Sequence, residues 1–110
     1  MKITGTFDLT ASSTWSQSQT RIVRLEAQTA LAAVTVNLPK VEDVLALGGR
    51  EVEIQVFDLS GNAAVNNITL VADVDDTING AASLAISTDS QTAIVRLNTE
   101  NNWSAFGSIK

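Results

Sequence analysis

Hydrophobic and polar residues alternate along most of the chain, and most clearly between residues 66 and 103. Three runs there follow a period of two, at residues 68–72, 84–86 and 92–97. This period is typical of β-strands that lay one face on a core. Between the first two runs lies Asn79-Gly80, a pair that accepts positive φ at little cost. The stretch therefore predicts three strands and a tight hairpin turn at residues 78–81.

The same alternation predicts strands at residues 3–10, 21–27, 33–38 and 50–57. In the last run, one side of the strand is apolar and the other polar: Val52, Ile54 and Val56 against Glu51, Glu53 and Gln55. Residues 41–47 instead place their apolar side chains near helical spacing, and Gly48-Gly49 follows them. We expect a helix of one to two turns there, because glycine commonly ends helices.

The number and spacing of these strands indicate the fold class. Seven or eight strands, with turns about every ten residues, favour an all-β fold over an α/β fold. We predict one antiparallel β-sandwich or jelly-roll-like domain with one short helix, covering residues 1–110, a length suited to a single core. No repeat of solenoid or propeller length is evident.

Composition adds a prediction about assembly. Hydrophobic residues make up 45% of the chain but aromatic residues only 5%, so the core must consist of Val, Leu, Ile and Ala. Aliphatic side chains that exceed the interior of a small sandwich need cover from another subunit. Ile94 and Val71 interrupt the polar sides of their strands, and we expect both at a contact between subunits.

Charge and cysteine content exclude several classes of partner. The net charge is -5, and the seven Lys and Arg residues are scattered, which argues against nucleic acid. There is no cysteine, so disulfides and thiolate metal sites are impossible. No segment approaches the roughly 20 apolar residues of a membrane span, and the N-terminus lacks the apolar run of a signal peptide. We expect no membrane partner and synthesis in a cytoplasm.

Catalytic chemistry has few candidate residues. The chain has no His, Cys or Tyr, which excludes Ser-His-Asp and Cys-His sites and removes the usual metal ligands. Carboxylate pairs, Asp75 with Asp76 or Glu51 with Glu53, leave a glycosidase as the weakest hypothesis. Nothing in the sequence predicts the desolvation that would raise one of their pKa values. We therefore predict that the protein is not an enzyme and needs no cofactor.

The acidic run Asp73, Asp75 and Asp76, with Asn79 beyond it, offers oxygen ligands that calcium prefers. It lacks the glycine position and the distal glutamate of an EF-hand loop. The simpler interpretation is a solvated turn, in which Asp and Asn side chains bond to nearby backbone amides. Whether this loop binds a cation stays open at this point.

The two tryptophans are the other candidates for contact. Trp15 lies in a run rich in Ser, Gln and Thr at residues 11–20, and Trp103 lies near the C-terminal end. Large aromatic side chains are mostly buried, so Trp15 is interpreted as a lid on the core and Trp103 as a seal of the core or of a subunit contact. The alternative is that either indole stacks on a sugar ring, as in a carbohydrate-binding module.

The order of several short motifs carries a resemblance to a known class. They are Leu38-Pro39, Gly48-Gly49, the strand at residues 51–56, Ser60-Gly61-Asn62, Asn67-Ile68-Thr69-Leu70, Asp76-Thr77-Ile78-Asn79-Gly80, residues 93–97 and Asn102-Trp103. In this order they resemble a β-domain that recurs in bacteriophage fibres and head-decoration proteins. The resemblance covers roughly the last three quarters of the chain.

This resemblance implies a β-sandwich or jelly roll that trimerises and binds a capsid, or forms a shaft or tip, without catalysis. Met1 leads directly into a predicted strand, which favours a small decoration or head-fibre protein over a tail fibre. The expected protein is a homotrimer on the capsid exterior of a virion, in contact with the major capsid protein or another virion protein. The alternative is a tail fibre or carbohydrate-binding module that recognises host-surface glycans.

Overall fold

The computed structural model describes residues 1–16, 22–48, 52–99 and 101–106. They form two packed β-sheets with one short helix, which confirms the all-β prediction. The elements are β1 (Lys2–Ile3), β2 (Thr6–Asp8), a 3₁₀ turn (Ser13–Ser16), β3 (Ile22–Ala27), β4 (Val34–Asn37), α1 (Val41–Ala46), β5 (Glu53–Asp58), β6 (Ile68–Val71), β7 (Thr77–Ile78), β8 (Ser83–Ile86), β9 (Thr92–Thr99) and β10 (Asn102–Phe106).

The first six strands alternate between the two sheets. Sheet A has the order β1-β3-β5-β9-β10-β7, and sheet B has the order β2-β4-β6-β8. Within each sheet, the strands of this first half are parallel: β1 with β3 and β5, and β2 with β4 and β6. The chain thus winds as a spiral in which each coil gives one strand to each sheet. The prediction of an antiparallel, jelly-roll-like sandwich is wrong for this half of the molecule.

The spiral leaves no repeat in the sequence because its coils differ in length. In sheet A, Leu25 pairs with Val56, whereas in sheet B Phe7 pairs with Val36 and Val36 with Leu70. The spacing between paired residues changes from one coil to the next. The paired positions share only that they are apolar and point inward. Because all strands with one buried face alternate in this way, the pattern does not reveal a repeat.

The second half closes the sheets mostly with antiparallel pairs, β6 with β8, β5 with β9 and β9 with β10, while the edge strand β7 pairs with β10 in parallel. The predicted Asn-Gly turn is confirmed, with φ of 51° at Asn79 and 82° at Gly80. The Ile78 amide donates to the Ala81 carbonyl at 2.7 Å, and the Ala81 amide donates back at 2.9 Å. Positive φ at both central residues is the type I′ geometry that suits twisted strands.

The predicted strand at residues 3–10 is corrected, because it is split into two strands that join different sheets. Gly5 has a φ of 58° between them, and β1 pairs with β3 while β2 pairs with β4. Positive φ is open to glycine without steric cost, so the chain can turn from one sheet to the other there. The predicted helix at residues 41–47 is confirmed as α1, while Gly49 lies outside the described residues.

Inward side chains of both sheets form one aliphatic core, as the composition predicts. Its largest fully buried members are Trp103, Leu25, Ile54, Ile68, Leu70, Ile78, Val34, Val36, Val41, Val44, Val52 and Val56. Burying each aliphatic side chain of this kind contributes about 1.5–3 kcal/mol. The core runs between the two ends of the spiral, where the connections between strands lie.

Candidate functional site

Two ends of the spiral carry the polar and exposed features of the molecule. The helix end consists of α1, residues 72–76 and the connection between β9 and β10. The loop end consists of residues 28–33, 59–67 and 87–91. β4 and β6 run from the loop end to the helix end, and β3 and β5 run the opposite way.

Ile94 and Val71 do not lie together in the structure. Both are half-buried, and each follows a buried inward residue, Ala93 on β9 and Leu70 on β6. Ile94 is therefore on the outer face of sheet A, and Val71 is on the outer face of sheet B. A contact between subunits that used both would join sheet A of one copy to sheet B of the next.

Both tryptophans lie in the core of the single chain. Trp15 is 6% exposed and Trp103 is 0% exposed. These values agree with the interpretation of Trp15 as a lid and of Trp103 as a seal. With their surfaces covered in this way, neither indole presents a face on which a sugar ring or a partner can stack.

The acidic loop at the helix end is divided between solvent and core. Asp75 is exposed, and its Oδ2 accepts a bond from Lys40 Nζ at 3.1 Å. Asp73 Oδ1 accepts the Asp75 amide at 3.3 Å, as expected for a turn of this composition. Asp76 is buried instead, and this burial raises its pKa, so the expectation that neither carboxylate of the Asp75–Asp76 pair is desolvated is wrong for Asp76. In the part of the chain that the structure describes, no group of three or more acidic side chains converges on a metal position.

Asp76 caps α1 from a distant part of the chain. Its Oδ2 accepts the Val41 amide at 2.8 Å, whereas Lys40, at the N-cap position, makes no capping bond with its own side chain. Asp76 Oδ1 is buried and has no hydrogen-bond partner among the described residues. Burial raises the pKa of Asp76, the neighbouring Asp73 and Asp75 raise it further, and the Val41 bond opposes them only in part.

Asp58 is the buried carboxylate of the loop end. Its Oδ1 accepts Thr29 Oγ1 at 2.5 Å and the Gly61 amide at 3.1 Å, and its Oδ2 accepts the amides of Ala63 and Ser90 at 2.9 Å each. Burial alone would raise the pKa of Asp58, but these bonds together outweigh it and lower the pKa. One side chain thus ties three loops together. The sequence analysis missed it, although Asp58 begins the turn-forming run DLSGN.

The second carboxylate pair considered for catalysis is not available as a pair in the described structure. Glu51 lies outside the described residues. Glu53 Oε1 is 2.5 Å from Arg96 Nη2, and Glu53 Oε2 accepts Gln55 Nε2 at 2.6 Å. The bonds from Gln55 and Arg96 lower the pKa of Glu53. A carboxylate held in its charged form in this way is unsuited to act as a general acid.

Beside Asp58, the loop end exposes apolar side chains. Leu31 is 96% exposed, Val65 is 84% exposed, and Leu59 is also exposed. Thr29 holds the two loops that carry them, since its Oγ1 accepts the Asn62 amide at 3.1 Å and its carbonyl accepts Asn66 Nδ2 at 2.7 Å. We call Leu31, Leu59 and Val65 the apolar ridge.

The helix end contains a cavity of about 300 Å³, lined by Val41, Glu42, Leu45 and Asn101. Val41 and Leu45 are neighbours on one side of α1, and Asn101 lies in the turn between β9 and β10. Among the described residues, its lining therefore combines two aliphatic side chains with two polar ones, one of them a carboxylate. Local patterns in the sequence do not predict the cavity, because α1 and Asn101 are far apart in the chain.

No protein-family model matches this sequence, and no curated protein does either. Among the described residues, no helix has both the length and the apolar character that crossing a bilayer requires.

Proposed function

We propose that this chain is a non-enzymatic structural protein of a bacteriophage particle, a decoration or head-fibre protein bound to the outer surface of the capsid. The order of motifs is similar to that in such proteins, and the surface features suit a protein that acts by attachment. Its partners would be further copies of itself, in a homotrimer, and the major capsid protein or another virion protein.

The observation that carries this proposal is the apolar ridge. Leu31 and Val65 expose almost their whole side chains, at 96% and 84%. Each would contribute about 1.5–3 kcal/mol if a partner covered it. The loops beneath them are held by the bonds to Asp58 and Thr29, so docking costs little conformational entropy. A stiff apolar surface of this kind suits docking on a large protein shell.

The homotrimer would use the outer faces of the two sheets. Ile94 and Val71 lie on opposite faces, so a contact between them is heterologous, and such contacts form a closed ring only if the rotation between copies closes. Substituting Ile94 with Asp is expected to shift the trimer toward monomer. Light scattering on the purified protein measures this, and an unchanged trimer would show that Ile94 is not at the contact.

Location in the particle tests the proposal directly. The chain has no cysteine, so a single cysteine placed at the exposed Thr10 (Thr10→Cys) can carry a gold label. Electron microscopy of intact particles is expected to show gold on the outside of the head. Particles that carry no gold, or gold only on the tail, would contradict attachment to the capsid exterior.

The role of the ridge is tested by a matched pair of variants. Val65→Asp should weaken attachment to particles assembled without this chain by about tenfold or more, the loss expected when a buried valine contact is replaced by a charge. Val74→Asp is the control, since Val74 is 94% exposed but lies at the helix end. Equal attachment of the two variants in a sedimentation assay would exclude the ridge as the docking surface.

A further inference from the structure

The cavity at the helix end combines features that together select one kind of occupant. Its aliphatic wall comes from Val41 and Leu45, and its polar side chains are Glu42 and Asn101. A volume of about 300 Å³ is at the lower limit of small-molecule sites. It is suited to one long side chain with a polar head.

Acidic residues outnumber basic ones in two described segments of the helix end, residues 40–46 and 72–76. These segments contain one basic residue, Lys40, and five acidic residues: Glu42, Asp43, Asp73, Asp75 and Asp76. Lys40 Nζ lies 3.1 Å from Asp75 and 4.0 Å from Glu42, so its closest contact is with Asp75. Glu42 lines the cavity and its side chain is 78% exposed, so its carboxylate and the neighbouring acidic residues attract a positive group.

Asn101, the lining residue outside α1, has a backbone held by a hydrogen bond. Asn101 has a φ of 60°, and its carbonyl accepts the Thr77 amide at 2.8 Å. Asn101 is exposed, and the amide oxygen of an asparagine side chain can accept a hydrogen bond. Glu42 and Asn101 thus line one cavity, and each has a side-chain oxygen that can serve as an acceptor.

We propose that this cavity receives an arginine side chain from a partner protein. The aliphatic stem would pack mainly on the half-buried Leu45, since Val41 is almost fully buried, and the guanidinium would bond to the Glu42 carboxylate and the Asn101 amide oxygen. Arginine fits better than lysine, because its planar head has donors on several sides and is more weakly hydrated than an ammonium. The inference is independent of the apolar ridge, which lies at the other end of the spiral.

A pair of short peptides tests the ligand chemistry. The full-length ¹⁵N-labelled protein is titrated with acetyl-Gly-Arg-Gly-amide and with the same peptide containing citrulline, which has nearly the shape of arginine but no charge. The arginine peptide should shift the amide signals of Val41, Glu42, Leu45 and Asn101 and bind at least about threefold more tightly than the citrulline peptide. Equal affinities, or shifts confined to other residues, would overturn the proposal. A lysine peptide that binds as tightly as the arginine peptide would also overturn it.

Two variants that each remove one negative charge distinguish binding of the peptide in the cavity from general attraction to an acidic surface. Glu42→Gln should weaken binding of the arginine peptide about threefold, as expected for the loss of one exposed ion pair. Asp43→Asn is the control, because Asp43 is exposed on the same helix but does not line the cavity. Equal weakening by both variants would show that only the general negative field attracts the peptide, and the proposed site would be wrong.

Discussion

The two buried aspartates, Asp58 at the loop end and Asp76 at the helix end, are nearly equal in exposure, at 6% and 5%, yet their pKa values shift in opposite directions. Asp58 accepts four hydrogen bonds, divided between both oxygens. Asp76 accepts one, from the Val41 amide, and its other oxygen has no partner among the described residues. For these two carboxyl groups, the hydrogen-bond donors around the group, rather than its burial, decide whether the charged or the protonated form is favoured.

The opposite shifts give opposite dependences of stability on pH. The pKa of Asp58 is lowered in the folded state, so its contribution is present above the unfolded pKa and is lost as pH falls through the folded pKa. The pKa of Asp76 is raised, so its contribution is present below the unfolded pKa and is lost as pH rises through the folded pKa. Lowering the pH therefore removes the stability that Asp58 contributes at the loop end. At the helix end it removes the cost of burying a charged Asp76.

The largest effect is expected for Asp58→Asn. The variant has a nearly unchanged shape, but its NH₂ group replaces an oxygen that accepts hydrogen bonds. Because the NH₂ group then points at other donors, the free energy of unfolding should fall by about 3 kcal/mol or more. Urea unfolding at neutral pH measures it. Asp89→Asn is the control, since Asp89 is exposed and accepts only the Ala64 amide in the described structure. A loss below about 0.5 kcal/mol would show that the charge of Asp58 is not needed.

An intermediate effect is expected for Thr29→Val. The change removes the hydroxyl that donates to Asp58 and accepts the Asn62 amide, and it should lower the free energy of unfolding by about 1–3 kcal/mol. Thr29→Ser keeps the hydroxyl and should recover most of this loss. If serine and valine are equally destabilising in urea unfolding, the packing of the threonine methyl group matters more than its bonds.

The smallest effect, and one of opposite sign, is expected for Asp76→Asn at neutral pH. The amide oxygen still accepts the Val41 amide, while the cost of a charged, desolvated carboxylate disappears. The free energy of unfolding should be unchanged or higher by up to about 1 kcal/mol. Measured against pH, the advantage of the variant should shrink as the pH is lowered and the native carboxyl becomes protonated. A clear loss of stability at neutral pH would show that the charged form of Asp76 supports α1.

Local signals in the sequence were enough for much of the fold. The Asn79-Gly80 turn, the short helix before Gly48 and the aliphatic core each follow from neighbouring residues, and the structure has all of them. The parallel spiral does not follow from neighbours, because pairs such as Leu25 with Val56 join coils of unequal length. Alternation of polar and apolar residues shows that a strand exists but not which way its neighbour runs.

The candidate sites were less predictable, because their parts come from distant residues. Asp76 caps a helix that begins at Val41, whereas capping signals are sought within a few residues of a helix start. Asp58 receives its bonds from Thr29 and from amides of later loops, and backbone amides have no signature in a sequence. Periodicity placed Ile94 and Val71 on polar strand faces, but only the sheet order shows that these faces point away from each other.

The outermost strands of both sheets are short, which limits the edge with which another chain could pair. Sheet A ends at β1 and β7, with two residues each, and sheet B ends at β2, with three, and β8, with four. An edge strand has unpaired backbone amides and carbonyls, so another chain can pair with it and extend the sheet into a fibril. Edges this short present few such groups, so the spiral stops without a capping domain in the described residues.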